Sequence, residues 1–124
     1  MKKAELRLSR SEAPPPGNLR VVEVGGYPVG LFNVDGHFFA LADRCPHRGA
    51  PLCSRGELVG AIVPIGDRLH LQAEGQFIRC PWHKWDFEIA TGSSSVAPWL
   101  QVRRYRVRAE DDSIVVTLDS AREP

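Results

Sequence analysis

The chain has 124 residues, 43% hydrophobic and 25% charged, which suits one domain with a modest core. Sixteen Lys and Arg against fifteen Asp and Glu leave a net charge of +1, which excludes a protein drawn to nucleic acid or an anionic membrane by long-range charge. Three cysteines, an odd and sparse set, do not make a secreted disulfide scaffold and fit a reducing cytoplasm.

The opening "MKKAELRLSR" is basic but has no apolar stretch behind it, so it does not read as a secretory signal. "ELRLS" alternates as a strand does, and residues 14–17, "PPPG", form a stiff connector to the rest of the chain. "LRVVEV" and "YPVGLFNV" flank Gly25-Gly26, and "GLFNV" and "HFFALAD" flank Asp35-Gly36. Both pairs are hairpin signals, Asp-Gly among the strongest. "LVGAIVPIG", residues 58–66, is the most apolar short run, too short and proline-bearing for a membrane span. "RLHLQ" and "QFIRC" predict a further hairpin turning at Ala73-Glu74-Gly75, and "YRVRA" and "SIVVTL" one turning at Glu110 to Asp112. Ten prolines and eleven glycines punctuate these runs, and no window holds a helical period. The expected fold is all-β, a sandwich or small barrel, in a soluble chain with no membrane anchor. Residues 119–124 read as a C-terminal tail, with 121–124 frayed.

Two short loops stand out. Cys45-x-His47 follows "HFFALAD" and Cys80-x-x-His83 follows "QFIRC", each cysteine beside a proline, with 32 residues between His47 and Cys80. Two hairpin tips could converge on one site. Two thiolates with two imidazoles suit either tetrahedral zinc or an iron–sulfur centre of mixed ligation.

With their flanks, "CPHRGAPL" and "CPWHKWDFEIATG", these loops resemble those of the Rieske iron–sulfur proteins, in particular Rieske ferredoxins and the Rieske domains of aromatic-ring oxygenases. The likeness runs over residues 4–118. It implies a Rieske-type antiparallel sandwich with a small cluster-binding subdomain at about 43–92, carrying an inserted hairpin at about 60–75. It further implies a [2Fe–2S] cluster with Cys45 and Cys80 on the inner iron and His47 and His83 on the outer one. Two thiolates neutralise the oxidised core and two neutral imidazoles add no charge, so mixed ligation raises the potential above that of an all-cysteine cluster. The imidazoles would reach the surface where a redox partner docks.

Departures from the pattern narrow the reading. High-potential relatives carry a disulfide between the two loops; the corresponding positions here are Ala50 and Trp82. Where those proteins place serine and tyrosine hydroxyls near the cluster, this chain has Trp85 and Phe87. Without those donors the expected potential is near the low Rieske end, roughly −150 mV. Beyond the four ligands only His37 and His70 remain, so a second, mononuclear iron site of the oxygenase kind finds no ligands. No glycine-rich dinucleotide fingerprint is present either.

The resemblance therefore implies an electron carrier, not an enzyme. Its donor would be a flavin-containing reductase and its acceptor a ring-hydroxylating oxygenase. The runner-up is a small electron-transfer subunit like that of nitrite reductase. A zinc-stabilised β module for binding is the alternative from another class. Cys53 reads as a small free thiol, His37 as a strand residue and His70 as an exposed hairpin residue. Trp82 and Trp85 read as packing that keeps water off the cluster, and Pro98 as a shield behind it. "VRRYRVR", residues 102–108, reads as a docking patch for an acidic partner or as a charged sheet edge that discourages aggregation.

Overall fold

The computed structural model describes residues 3–46, 49–65, 68–82, 85–94 and 99–119, and of 60–76 the backbone only. In chain order the strands are β1 (Lys3–Ser9), β2 (Asn18–Val24), β3 (Tyr27–Val34) and β4 (His37–Ala42). A short helix α1 (Leu52–Arg55) follows, then β5 (Glu57–Ile65), β6 (Arg68–Arg79), β7 (Asp86–Glu88), β8 (Arg104–Ala109) and β9 (Ser113–Asp119). The chain is all-β as expected, and every ladder is antiparallel. One sheet has the order β1-β9-β8-β4-β3-β2 and the other β5-β6-β7.

The two tight hairpins form where the sequence placed them. Val24 pairs with Tyr27 and Val34 with His37, leaving two-residue turns. All four turn residues have positive φ, from 56° at Asp35 to 87° at Gly36, the type I′ geometry that suits the twist of the flanking strands. The proline connector is held at both ends by one side chain and its backbone. Asn33 is buried, its Nδ2 donates to the Pro14 carbonyl at 3.0 Å, and its own carbonyl accepts from Gly17 N–H at 2.8 Å.

Strands β3 and β4 separate two cores, because successive side chains point to opposite faces. Val29, Leu31 and Ala40 join Leu8, Val22, Val24, Ile114, Val116 and Leu118 on one side. Phe32 and Leu41 face the other, joining Cys45, Cys53, Ile78, Cys80, Phe87, Ile89 and Val102. Ile78 and Phe87 are fully buried there, each worth about 1.5–3 kcal/mol relative to an exposed side chain. All three cysteines lie in the second core.

Three expectations need correction. Residues 73–75 do not turn. Arg68–Arg79 is one strand, and the hairpin with β5 closes at Ile65 and Arg68. The register jumps from Val59↔Phe77 to Ala61↔Gln72, so Ala73–Glu74–Gly75–Gln76 oppose only Gly60. A bulge absorbs the extra residues that looked like a turn. Second, "VRRYRVR" is a sheet edge only in part: β8 lies between β9 and β4, but it pairs with β4 only at Arg104 and Tyr105 and is open on that side from Arg106 on. Third, residues 52–55 are helical; one turn is too short to show a period.

Candidate metal centre

Cys45 follows β4 by three residues and Cys80 directly follows β6, and each opens a loop closed by the same bond. Cys45 N–H donates to the Ala50 carbonyl at 2.8 Å, and Cys80 N–H donates to the Trp85 carbonyl at 2.8 Å. Each loop thus folds back on its cysteine five residues later. In the first loop Gly49 N–H also donates to the Cys45 carbonyl at 2.7 Å, with Gly49 at φ 77°, a left-handed turn that a side chain would strain. Cys45 is 1% exposed and Cys80 0%, and neither is in a disulfide. Two thiols therefore reach one apolar core from two loops.

The supports of the loops differ. Ahead of the first, the Asp43 carboxylate accepts from Cys53 N–H at 2.6 Å and Ser54 N–H at 3.0 Å. It satisfies the otherwise orphaned donors of α1 from ten residues upstream. The second loop is flanked by a two-pronged ion pair: Arg79 Nε and Nη2 donate to the two Asp86 oxygens at 2.7 and 3.1 Å. Arg79 and Asp86 are also register partners of β6 and β7, so the strands and the ion pair close the loop together.

Three thiols share the core, but Cys53 is differently placed. Its Sγ lies 3.8 Å from the Leu41 carbonyl and 3.6 Å from that of Ala42, as a weak donor would. Burial, with Asp43 second, pushes its pKa far up. Gly30 makes its room: a Cβ there would stand 2.5 Å from the Cys53 sulfur. The expectation of a small free thiol holds for Cys53. The remaining pair, Cys45 and Cys80, fits the thiolate half of an iron–sulfur cluster, which needs two sulfurs in a water-poor wall.

The wall is apolar. Phe87 and Ile89 are fully buried and Trp85 packs against them half-buried. Trp82 is 57% exposed and does not cover that core. It sits within the closed loop, so the fold-back that buries Cys80 leaves Trp82 at the surface. His37 is exposed at the start of β4, as expected of a strand residue after a turn. His47, His83, Pro98 and the His70 side chain lie outside the described residues.

Sequence reasoning missed Asp43 and the Arg79–Asp86 pair. Asp43 caps a helix from ten residues away, so no local capping pattern marks it. Arg79 and Asp86 flank the second loop symmetrically, and that spacing is a signal that could have been used.

Comparison with known proteins agrees with this geometry. The model of the Rieske [2Fe-2S] domain matches residues 5–106. Human apoptosis-inducing factor 3 is 35% identical over 101 residues, 81% of this chain; the chain spans only 14% of that protein. The biphenyl dioxygenase ferredoxin subunit of Pseudomonas sp. strain KKS102 is 31% identical over 108 residues, 86% of this chain and 85% of that one. A solved structure described as an NADH-dependent nitrite reductase small subunit from Mycobacterium tuberculosis superposes with a TM-score of 0.68 at 24% identity, covering 96% of this chain and 98% of that one. Two buried thiols on matched loops in an all-β frame, with a family match across most of the sequence, lead to one conclusion: the chain belongs to the Rieske [2Fe–2S] domain family.

Proposed function

We propose that this chain is a one-electron carrier that takes an electron from a flavin-containing ferredoxin reductase and passes it to a ring-hydroxylating oxygenase. Cys45 and Cys80 are the thiolate ligands of its Rieske cluster, and His47 and His83 the imidazole ligands. The observation that carries this reading is the pair of fully buried thiols, each on a loop closed by its own N–H five residues on. When bound, the cluster supplies a one-electron redox couple. Everything else falls to the protein. The two thiolates balance the charge of the oxidised core, and Trp85, Phe87 and Ile89 keep water from the sulfurs.

The acceptor is read from the ferredoxin relative, which matches over most of both chains. Neither Trp85 nor Phe87 offers a hydroxyl, which supports a potential near the low Rieske end, roughly −150 mV. Among the described residues no helix is long and apolar enough to cross a membrane. Three unbridged cysteines favour a reducing compartment, the cytoplasm.

The test is an absorption spectrum of the purified protein, then low-temperature EPR after dithionite reduction. A red-brown protein that bleaches, with an average g below that of four-cysteine ferredoxins, is expected. A colourless, anaerobically purified protein with one zinc per chain would overturn the reading. Oxygenase turnover with a ferredoxin reductase, against nitrite reduction with a nitrite reductase catalytic subunit, then tests the acceptor.

A further inference from the structure

The sheet is split between β4 and β8. Their ladder has two rungs, Ala40↔Tyr105 and Leu41↔Arg104, extended by the bond from Ala42 N–H to the Arg103 carbonyl at 2.9 Å. Beyond Ala40 the two strands keep their outer partners but not each other. β4 stays paired with β3 to His37, and β8 stays paired with β9 to Ala109. The edge of β4 at 37–39 and the edge of β8 at 106–109 therefore part. A cleft of about 940 Å³ opens there, with Phe38, Phe39 and Val107 among its walls. Two smaller hollows, about 290 and 250 Å³, prolong it past Phe39 toward His37.

The main cleft is charged on one side only. Arg103, Arg104 and Arg106 line it, and among the described residues no Asp or Glu does; Asp35 and Glu88 line the smaller hollow toward His37, outside the main cleft. Among the described residues none of these three is in a salt bridge; Arg104 donates to the Ala90 carbonyl at 3.1 Å and Arg103 lies over the Tyr105 ring. Among the described residues Arg108 alone of this strand is in a salt bridge, with Glu110. Arg106 stands where the edge of β8 opens, while Arg103 and Arg104 lie beside the paired rungs, so the charge excess extends beyond the open edge. In a chain of net charge +1 it is a local feature, not an overall one.

We propose that this cleft docks an extended acidic segment of a partner protein. Carboxylates would pair with Arg103, Arg104 and Arg106, an apolar residue would seat on Phe39, and the backbone would run along the parted strand edges, as in strand addition. Among the described residues none of the loops 45–50 or 80–85 lines the cleft. The proposal does not depend on the cluster or on the partner's being a redox protein.

The probe is a fluorescein-labelled oligoglutamate peptide with one central phenylalanine, titrated into the purified full chain. Saturable binding by anisotropy is expected, with amide shifts at Phe38, Phe39, Arg106 and Val107. Arg106→Glu should weaken it about tenfold, roughly 1.4 kcal/mol. Arg55→Glu, an exposed reversal on α1 away from the cleft, should leave affinity unchanged. Arg106→Gln serves if the reversal does not fold, with a smaller loss expected. Absence of binding, shifts confined elsewhere, or equal loss with Arg55→Glu would overturn the proposal. So would tighter binding of a single-stranded RNA oligonucleotide at the same cleft.

Discussion

The two cysteine loops close in the same way but are braced by opposite physics. The first leans on Asp43, a half-buried carboxylate that accepts two backbone N–H groups of α1. The second is bracketed by Arg79 and Asp86, whose side chains keep 38% and 30% of their exposure. Removing Asp43 leaves backbone donors short of a partner, and that costs more than the bond was worth. Removing a partly exposed ion pair returns both ends to water, where little is lost. Equal closure therefore does not mean equal vulnerability.

The largest expected effect treats the loops alike. Cys45→Ser and Cys80→Ser should each abolish the visible absorption of the cluster and lower thermal stability, while Cys53→Ala keeps the full spectrum. A cluster spectrum surviving in either serine variant would remove that cysteine from the ligand set. Next comes the contrast itself. Asp43→Ala should cost about 1–2 kcal/mol, the range for losing a helix-capping carboxylate, read as a fall of several degrees in Tm. Asp43→Asn, which keeps an acceptor oxygen, should cost less. Arg79→Ala should lower Tm by less than Asp43→Ala, and the difference from the unmodified protein should shrink as salt is added. If Arg79→Ala proved the more damaging, the asymmetry between the braces would be wrong.

The smallest effect serves as a control away from both loops. Hydrogen bonds from Arg7 first, then Arg108, hold the Glu110 carboxyl down to about 2 from an ordinary 4.5. A depressed carboxylate favours the fold above its unfolded value, and that contribution is lost as pH falls from about 4.5 toward 2. Glu110→Gln should therefore flatten the stability curve in that window and lower it near neutrality, where the contribution is fully present, with the two proteins converging as pH falls toward 2. Because Glu110 joins β1 to β8 at the surface, the cluster spectrum should not respond.

Where the sequence was readable, a short-range rule did the work. Gly25-Gly26 and Asp35-Gly36 announce their turns because few residues accept positive φ. Phe87 and Ile89 alternate with Asp86 and Glu88, and the structure buries the first pair fully and leaves the second half-exposed. Where reading failed, the deciding partner was distant. Ala73-Glu74-Gly75 has turn composition, yet pairing with β5 carries the strand through it.

By itself the sequence determined the strand-rich architecture, the two tight hairpins and the family, because alternation, turn chemistry and ligand spacing are properties of neighbours along the chain. Only the tertiary structure decided where the third cysteine goes: Cys53 packs against Gly30 with its sulfur toward the carbonyls of Leu41 and Ala42. It also decided that two arginines of β8, Arg104 and Arg106, line a cleft where the sheet parts, because strand order and the length of a ladder are set by contacts between segments far apart in sequence.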